Sequence, residues 1–175
     1  RAVIKSGDMG TYMIVDYGRT RTGFSVVRQG VVRYTSTVNI GGEPLVETIQ
    51  KHLNVSRERA EEIKMEKDLG RKEKELSTAL SNIIADLEEE INKQYIYWHT
   101  HKNKKGQVGE KIQKIILSGG NSNFPGLDEH LAARMKVKVE KANVWINVFS
   151  LDKVTPSIKL GQSLGYASAV GLALH

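Results

Sequence analysis

Apolar and polar positions alternate in three short runs near the start of the chain. Residues Thr11–Tyr17 and Thr22–Arg28 read as strands, and Gln29-Gly30 makes a tight turn into a third, Val31–Ile40, rich in Val, Thr and Tyr. Strands this close, the last two joined by two residues, predict an antiparallel meander that ends at Gly41-Gly42. The period then lengthens. Leu45, Val46, Ile49 and Leu53 recur at helical spacing behind Pro44, a residue suited to a first helical turn, so 44–53 is expected to be helix. Asn54-Val55-Ser56 breaks it. Ser56 can cap a second helix running from Arg57 to about Leu69, with Gly70 as its stop. In the long helix expected next, Leu76, Leu80, Ile83, Ile84, Leu87, Ile91, Tyr95 and Trp98 form one apolar stripe, with Glu88, Glu89 and Glu90 on the outer face.

The second half alternates element types. Thr100–Glu110 is polar and reads as a loop. Ile112–Leu117 is a short buried strand ending on Ser118-Gly119-Gly120, Pro125–Met135 a helix, and Val137–Val139 another strand. Val144–Val148 is expected to be extended, and Gly165–Leu174 a helix lined with Gly and Ala. The order β-β-β, helices, β-α-β, helix predicts an α/β fold. It is a mixed sheet with helices on its faces, the pattern of the ribonuclease-H-like core.

Composition narrows the function classes. Hydrophobic residues make up 39% and charged residues 26%, an ordinary globular balance. No run approaches the ~18 apolar residues of a membrane span. No charged-then-apolar leader opens the sequence, so secretion is not expected. Cysteine is absent, which removes disulfides and thiolate metal sites. The chain opens on Arg1 rather than Met, and is expected to be a piece of a longer protein. The net charge of +6 is mostly interleaved with acids, as in SRERAEEIKMEKDLGRKEKE, so nucleic acid is not an expected partner. One cluster is lopsided: HTHKNKKGQ, with Lys102, Lys104 and Lys105. A solvated loop is the ordinary explanation, and a membrane-surface or partner contact the sharper one.

Three places carry candidate chemistry. Asp16 ends a strand and is followed by Gly18, whose missing side chain lets backbone amides approach a ligand. With the hydroxyls of Thr20 and Thr22 the turn makes an anion cradle, and a carboxylate beside a phosphate is useful where magnesium and its waters lie between them. The competing explanation is plain hairpin chemistry. Second, Gly119-Gly120 follows a strand and precedes a helix with free N–H groups; a simple strand-to-helix turn would look the same. Third, in AEEIK the spacing of Glu61 and Lys64 puts a carboxylate and an ammonium on one helical face, able to hold a ribose diol or merely to pair with each other.

Taken in order, these segments resemble the second lobe of the actin-like ATPase superfamily. IVDYGRTRTGFSVV is similar to its second phosphate loop, AEEIK and LSGGNSNFPGL to the segments that hold ribose and adenine, and GYASAVGLAL to the last helix at the hinge. Within the superfamily the sequence resembles the type IV pilus assembly protein PilM family. The marks are VDYGRTRTGFSVV, VNIGGEPLVETIQKHLNVSRERAEEIK, IILSGGNSNFPGLDEHL and VEKANVWINV before the closing YASAVGLAL. The likeness implies a two-lobed protein with ATP and Mg2+ in the cleft between lobes. Asp16, Gly18, Thr20 and Thr22 would face phosphates and metal, Asp16 serving the metal. Gly41 and Gly42, the first glycine pair, would belong to the same site, Glu61 and Lys64 would meet the ribose, and Gly119, Gly120 and Asn121, at the second pair, would border the adenosine. Arg19 stands where relatives carry a small residue, to bind phosphate or to close the turn.

The likeness further implies that residues 1–42 and 73–175 form the core subdomain and 43–72 a small helical insertion, with the N-terminal lobe absent. It implies a cytoplasmic scaffold that binds, through that other lobe, the short tail of an inner-membrane pilus protein; self-association is a further open expectation. It implies an adaptor rather than a metabolic enzyme. Two alternatives stand beside it: a filament-forming cell-division protein like FtsA, and an actin-fold sugar or acetate kinase. The kinase lacks support here, because His52, His99, His101, His130 and His175 sit in polar settings without an obvious partner.

Overall fold

The computed structural model describes residues 2–66, 74–102 and 106–174. Gly70 and Leu69 at the expected end of the second helix lie outside the described residues, as do Arg1, Lys104, Lys105 and His175. The meander forms as expected, with β1 at Thr11–Tyr17, β2 at Thr22–Arg28 and β3 at Val31–Val38. Gln29 and Gly30 both adopt positive φ, 54° and 71°, as a two-residue turn between antiparallel strands requires. β4, Lys114–Ser118, and β5, Lys138–Lys141, complete a five-stranded sheet of order β3-β2-β1-β4-β5. β1 is antiparallel to β2 and parallel to β4, and β4 is parallel to β5. An antiparallel meander continued by parallel strands is the ribonuclease-H-like arrangement.

Both faces of the central strands are covered, which is why they read as continuous apolar runs. On one face Met13, Val15 and Tyr17 of β1 join Ile115 and Leu117 of β4 under the helices. Those helices are α1 at Glu43–Leu53, α2 at Arg57–Lys64, α3 at Lys74–Thr100 and α4 at Leu127–Met135. Five aliphatic residues of α3, Leu76, Leu80, Ile84, Leu87 and Ile91, lie fully buried along its predicted stripe. Each stabilises the layer by about 1.5–3 kcal/mol relative to exposure. Leu45, Val46 and Ile49 of α1 and Ala60 and Ile63 of α2 belong to this same core. On the other face Tyr12, Ile116 and Val27 pack against Ile4, Val144 and Leu164 from the two ends of the chain.

Helix boundaries follow local chemistry. Asn54 takes the left-handed conformation that closes α1, and the Ser56 side chain accepts from the Arg59 amide to open α2. α2 ends at Lys64, short of the expected Leu69, with Met65 and Glu66 donating back to Glu62 and Ile63. α4 begins at Leu127 rather than Pro125 because Gly126 sits at φ 76°, outside helical space; a single 3-10 turn, Gly120–Asn123, precedes it. The expected extended segment Val144–Val148 is instead a series of turns. The Asn143 side chain accepts from the Trp145 amide there and starts the chain bending. The closing helix begins earlier and is broken into α5 at Leu160–Ser163, a 3-10 turn at Leu164–Tyr166 and α6 at Ala167–Ala173.

Candidate functional site

The candidate residues gather at one end of the sheet. Register places Asp16 beside Gly23 on β2 and Ser118 on β4. Its carboxyl group is exposed at the sheet's rim and accepts one long bond, from the Ser118 hydroxyl at 3.4 Å. Surrounding protein removes enough water to push its pKa above the ordinary 3.8, and the Ser118 bond only partly opposes this. The residue after β4 is Gly119, at φ 86°. A Cβ there would lie 2.6 Å from Asp16 Oδ1 and 2.6 Å from the Tyr17 carbonyl oxygen. Asp16 and the Gly119-Gly120 bend are therefore direct neighbours, and only glycine permits the approach.

The β1–β2 hairpin supplies the second element. The Gly18 amide donates to the Arg21 carbonyl at 3.0 Å, which folds Arg19 and Thr20 into an exposed tip. The tip carbonyls are used by α1: Gly42 N–H donates to Gly18 O at 3.0 Å and Glu43 N–H to Arg19 O at 2.9 Å. The amides of Arg19 and Thr20 make no hydrogen bond among the described residues, so they are the donors an anion could use. The Arg19 side chain is largely exposed and reaches across to α1. Its Nε donates to Glu43 at 2.6 Å, and Arg57 grips the same carboxylate at 2.5 and 2.8 Å. Two guanidiniums hold the Glu43 pKa down at about 2.

The third element is α2. Lys64 is buried, with its ammonium donating to Glu61 at 2.5 Å and to Asn121 Oδ1 at 2.9 Å. Asn121 in turn donates to the Gly18 carbonyl at 2.9 Å, so one side-chain chain ties helix, bend and hairpin together. Arg19, Gly42, Glu61, Lys64, Gly120 and Asn121 line a cleft of about 350 Å³ among them. Asp16 lies outside this lining. It alternates with Tyr12 and Ile14 onto the other face of the sheet, across the Gly119-Gly120 bend.

Two sequence expectations change. Thr22 is fully buried and its hydroxyl donates to the Ile40 carbonyl at 2.6 Å, so it does not face a ligand. Gly41 has no room on its side-chain face because the Arg19 and Thr20 backbone lies there, and Gly42 is pressed against the Asn121 side chain. Gly41 lets the hairpin close up, whereas Gly42 makes room for Asn121 and still lines the cleft. Glu43, Arg57 and Ser118 were missed: an acid at a helix start and an arginine four residues past a helix end look like ordinary surface charge in sequence.

A model of the family described as Type IV pilus assembly protein PilM matches residues 2–175. The chain belongs to this family. No curated protein matches it. Among solved structures similar to this PilM-family chain is a PilM-PilN type IV pilus biogenesis complex, at 21% identity and TM-score 0.72, over 96% of this chain and 46% of that one. MreB 5 of Spiroplasma citri bound to AMPPNP is similar at 10% identity and TM-score 0.65, over 98% and 54%. The ethanolamine utilization protein EutJ of Carboxydothermus hydrogenoformans is similar at 18% identity and TM-score 0.58, over 90% and 48%. At these identities the likeness shows the fold, and the fold is actin-like. The chain spans about half the length of the structures it matches. No helix among the described residues is long and apolar enough to cross a membrane.

Proposed function

We propose that the chain is the second lobe of an actin-like scaffold for type IV pilus assembly, and that its cleft holds the adenosine end of ATP with Mg2+ near Asp16. One observation carries this: Arg19 of the hairpin tip, Gly120 and Asn121 of the bend, and the Glu61–Lys64 couple line one cleft, and Asp16 borders the same bend from the sheet's other face. Glu61, with 43% of its side chain exposed, would accept from the ribose while Lys64 donates. Gly120 and Asn121 would border the adenosine; a Cβ on Gly120 would meet open space, so the bend is free on its outer side. The Arg19 and Thr20 amides would receive phosphate oxygens.

The residues present fit magnesium. No group of three or more metal-ligating side chains exists among the described residues, as a dedicated protein cage would need. Magnesium is commonly held by one or two carboxylates together with substrate phosphates and water, and Asp16 is an accessible carboxylate with a single weak donor. There the ion would neutralise phosphate charge beside that carboxylate.

The rest of the scaffold lies in the parent protein under this proposal. Leu160, Tyr166 and Leu172 are 45%, 52% and 72% exposed, and α6 buries no residue, which supports a further lobe packing there. The short tail of an inner-membrane pilus protein would bind that other lobe and keep a cytoplasmic protein at the membrane. Calorimetry tests the cleft. The full-length protein should bind ATP with Mg2+, and Glu61→Ala should weaken binding by about tenfold, roughly 1.4 kcal/mol. The 175-residue chain alone should bind far more weakly, since half the cleft is missing. Unchanged affinity in Glu61→Ala would remove α2 from the site.

A further inference from the structure

The far end of the sheet holds a second hollow that the nucleotide cleft does not use. It lies between the β2–β3 hairpin, the end of α3 and the loop before β4, and has a volume of about 420 Å³. Arg28 and Arg33 line one side; Tyr97, Trp98 and His101 line another, and Val108 and Glu110 close it. Five residue steps along β1 separate Thr11, which pairs with Arg28, from Asp16 at the cleft end, or about 17 Å of strand.

The hollow is built rather than incidental. Trp98 Nε1 donates to the Glu110 carbonyl at 2.6 Å, the Gly109 amide donates to the Trp98 carbonyl at 3.0 Å, and Gly109 packs on the indole where no Cβ would fit. Opposite Val26 stands Tyr34, but opposite Val27 stands Val32, so Arg33 is the extra residue of a β-bulge. Bulges re-aim a side chain, and this one presents Arg33 beside Tyr97. The Arg33 side chain makes no hydrogen bond or ion pair among the described residues. Arg28 has a buried Nε without a partner, while its Nη2 meets the Glu110 carboxylate at 2.5 Å.

That inner pair indicates which chemistry the hollow takes. One guanidinium already holds the chain's own carboxylate, and a second, unpaired, stands in the same concavity beside exposed apolar surface. Tyr97 is 42% and Val108 48% exposed. We propose that this hollow binds an acidic segment of a partner protein, one carboxylate pairing with Arg33 and an adjoining aliphatic or aromatic side chain lying on Tyr97 and Val108. Planar guanidinium forks match carboxylates bidentately, and an Arg set among aromatics is the composition of interface hot spots. A lipid surface is less suited to a concave wall whose inner cation is already matched by Glu110.

The test starts from a displayed library of random nonapeptides selected against the full-length protein, with selected peptides then measured by fluorescence anisotropy. Enrichment should favour Asp or Glu next to Leu, Phe or Trp. Arg33→Glu should weaken the selected peptide by about tenfold and Tyr97→Ala by about threefold, with Arg33→Lys retaining part of the affinity. Because Arg33 is exposed, thermal midpoints should not move, and ATP affinity should stay unchanged in Arg33→Glu, which separates this site from the cleft. Absence of acidic enrichment, or equal binding by Arg33→Glu, overturns the proposal. So does binding to phosphatidylglycerol–phosphatidylcholine vesicles that is lost in Arg33→Glu without any selected peptide, which would make the face a lipid contact.

Discussion

Asp8 and Asp16 flank the two ends of one strand and meet opposite surroundings. Asp8 accepts from the Gly10 amide at 2.8 Å and from the Tyr12 hydroxyl at 2.7 Å. Those two bonds hold its pKa below 3.8, and the same contact pushes the Tyr12 phenol up to about 12. Asp16 has the Ser118 hydroxyl at 3.4 Å and little else, and loss of water raises its pKa. One carboxylate is given the donors its charge requires; the other is left short of them. Under the proposed function Asp16 is the acid that a ligand would complete, and Asp8 the structural one.

The glycines of the two ends repeat the contrast and give the largest expected effect. Gly119 and Gly7 both sit at positive φ, 86° and 79°, but a Cβ on Gly7 would meet nothing within 4 Å. Gly119→Val should therefore cost about 3 kcal/mol or more in urea unfolding, combining backbone strain with a clash against Asp16 and Tyr17. Gly7→Ala should cost about 1 kcal/mol, the backbone penalty alone. Equal costs at the two positions would mean that the cleft end is no tighter than the other.

Next in size comes Asp8→Ala. It leaves the Tyr12 hydroxyl and the Gly10 amide without their acceptor and should lower stability by about 1–2 kcal/mol. ATP affinity of the full-length protein should not change. Asp16→Asn is smaller and opposite in sign for the ligand-free protein: stability unchanged, or raised by up to about 1 kcal/mol. A loss comparable to that of Asp8→Ala would show Asp16 to be structural as well.

The pH dependence is the finest of these distinctions. A depressed folded pKa, as at Asp8, stabilises above the unfolded value of 3.8 and is lost as pH falls through the folded value. A raised one, as at Asp16, contributes in full below 3.8, and that contribution is lost as pH rises through the folded value. The deficit of Asp8→Ala and any advantage of Asp16→Asn should both be present at about pH 7 and shrink by about pH 3, when unfolding curves of each variant are compared with wild type. A variant whose difference from wild type grows toward acid would reverse the assignment for that residue.

The strands and long helices were legible because burial imposes a period on them. The meander, the stripe of α3 and the Ser56 cap appear in the sequence almost residue by residue. The C-terminal third was not. Val144–Val148 carries the apolar content of a strand, yet Val144 packs against the sheet's second face while Trp145 stacks on Phe149 at 5.3 Å, contacts that a turn satisfies and a strand would not. The site was legible as a set of segments but not as geometry. Motif order brought together Asp16, the hairpin tip, Gly119 and the Glu61–Lys64 couple. It could not tell that Thr22 turns inward to Ile40, or that Gly42 makes room for Asn121. Both depend on contacts between residues far apart in the chain.

The most direct test of the central claim is calorimetric titration of ATP with Mg2+ into the full-length protein carrying Asp16→Asn. Magnesium-dependent affinity should fall by about tenfold or more, while the thermal midpoint of the ligand-free protein stays level or rises. Affinity equal to wild type, with a lowered midpoint, would contradict it.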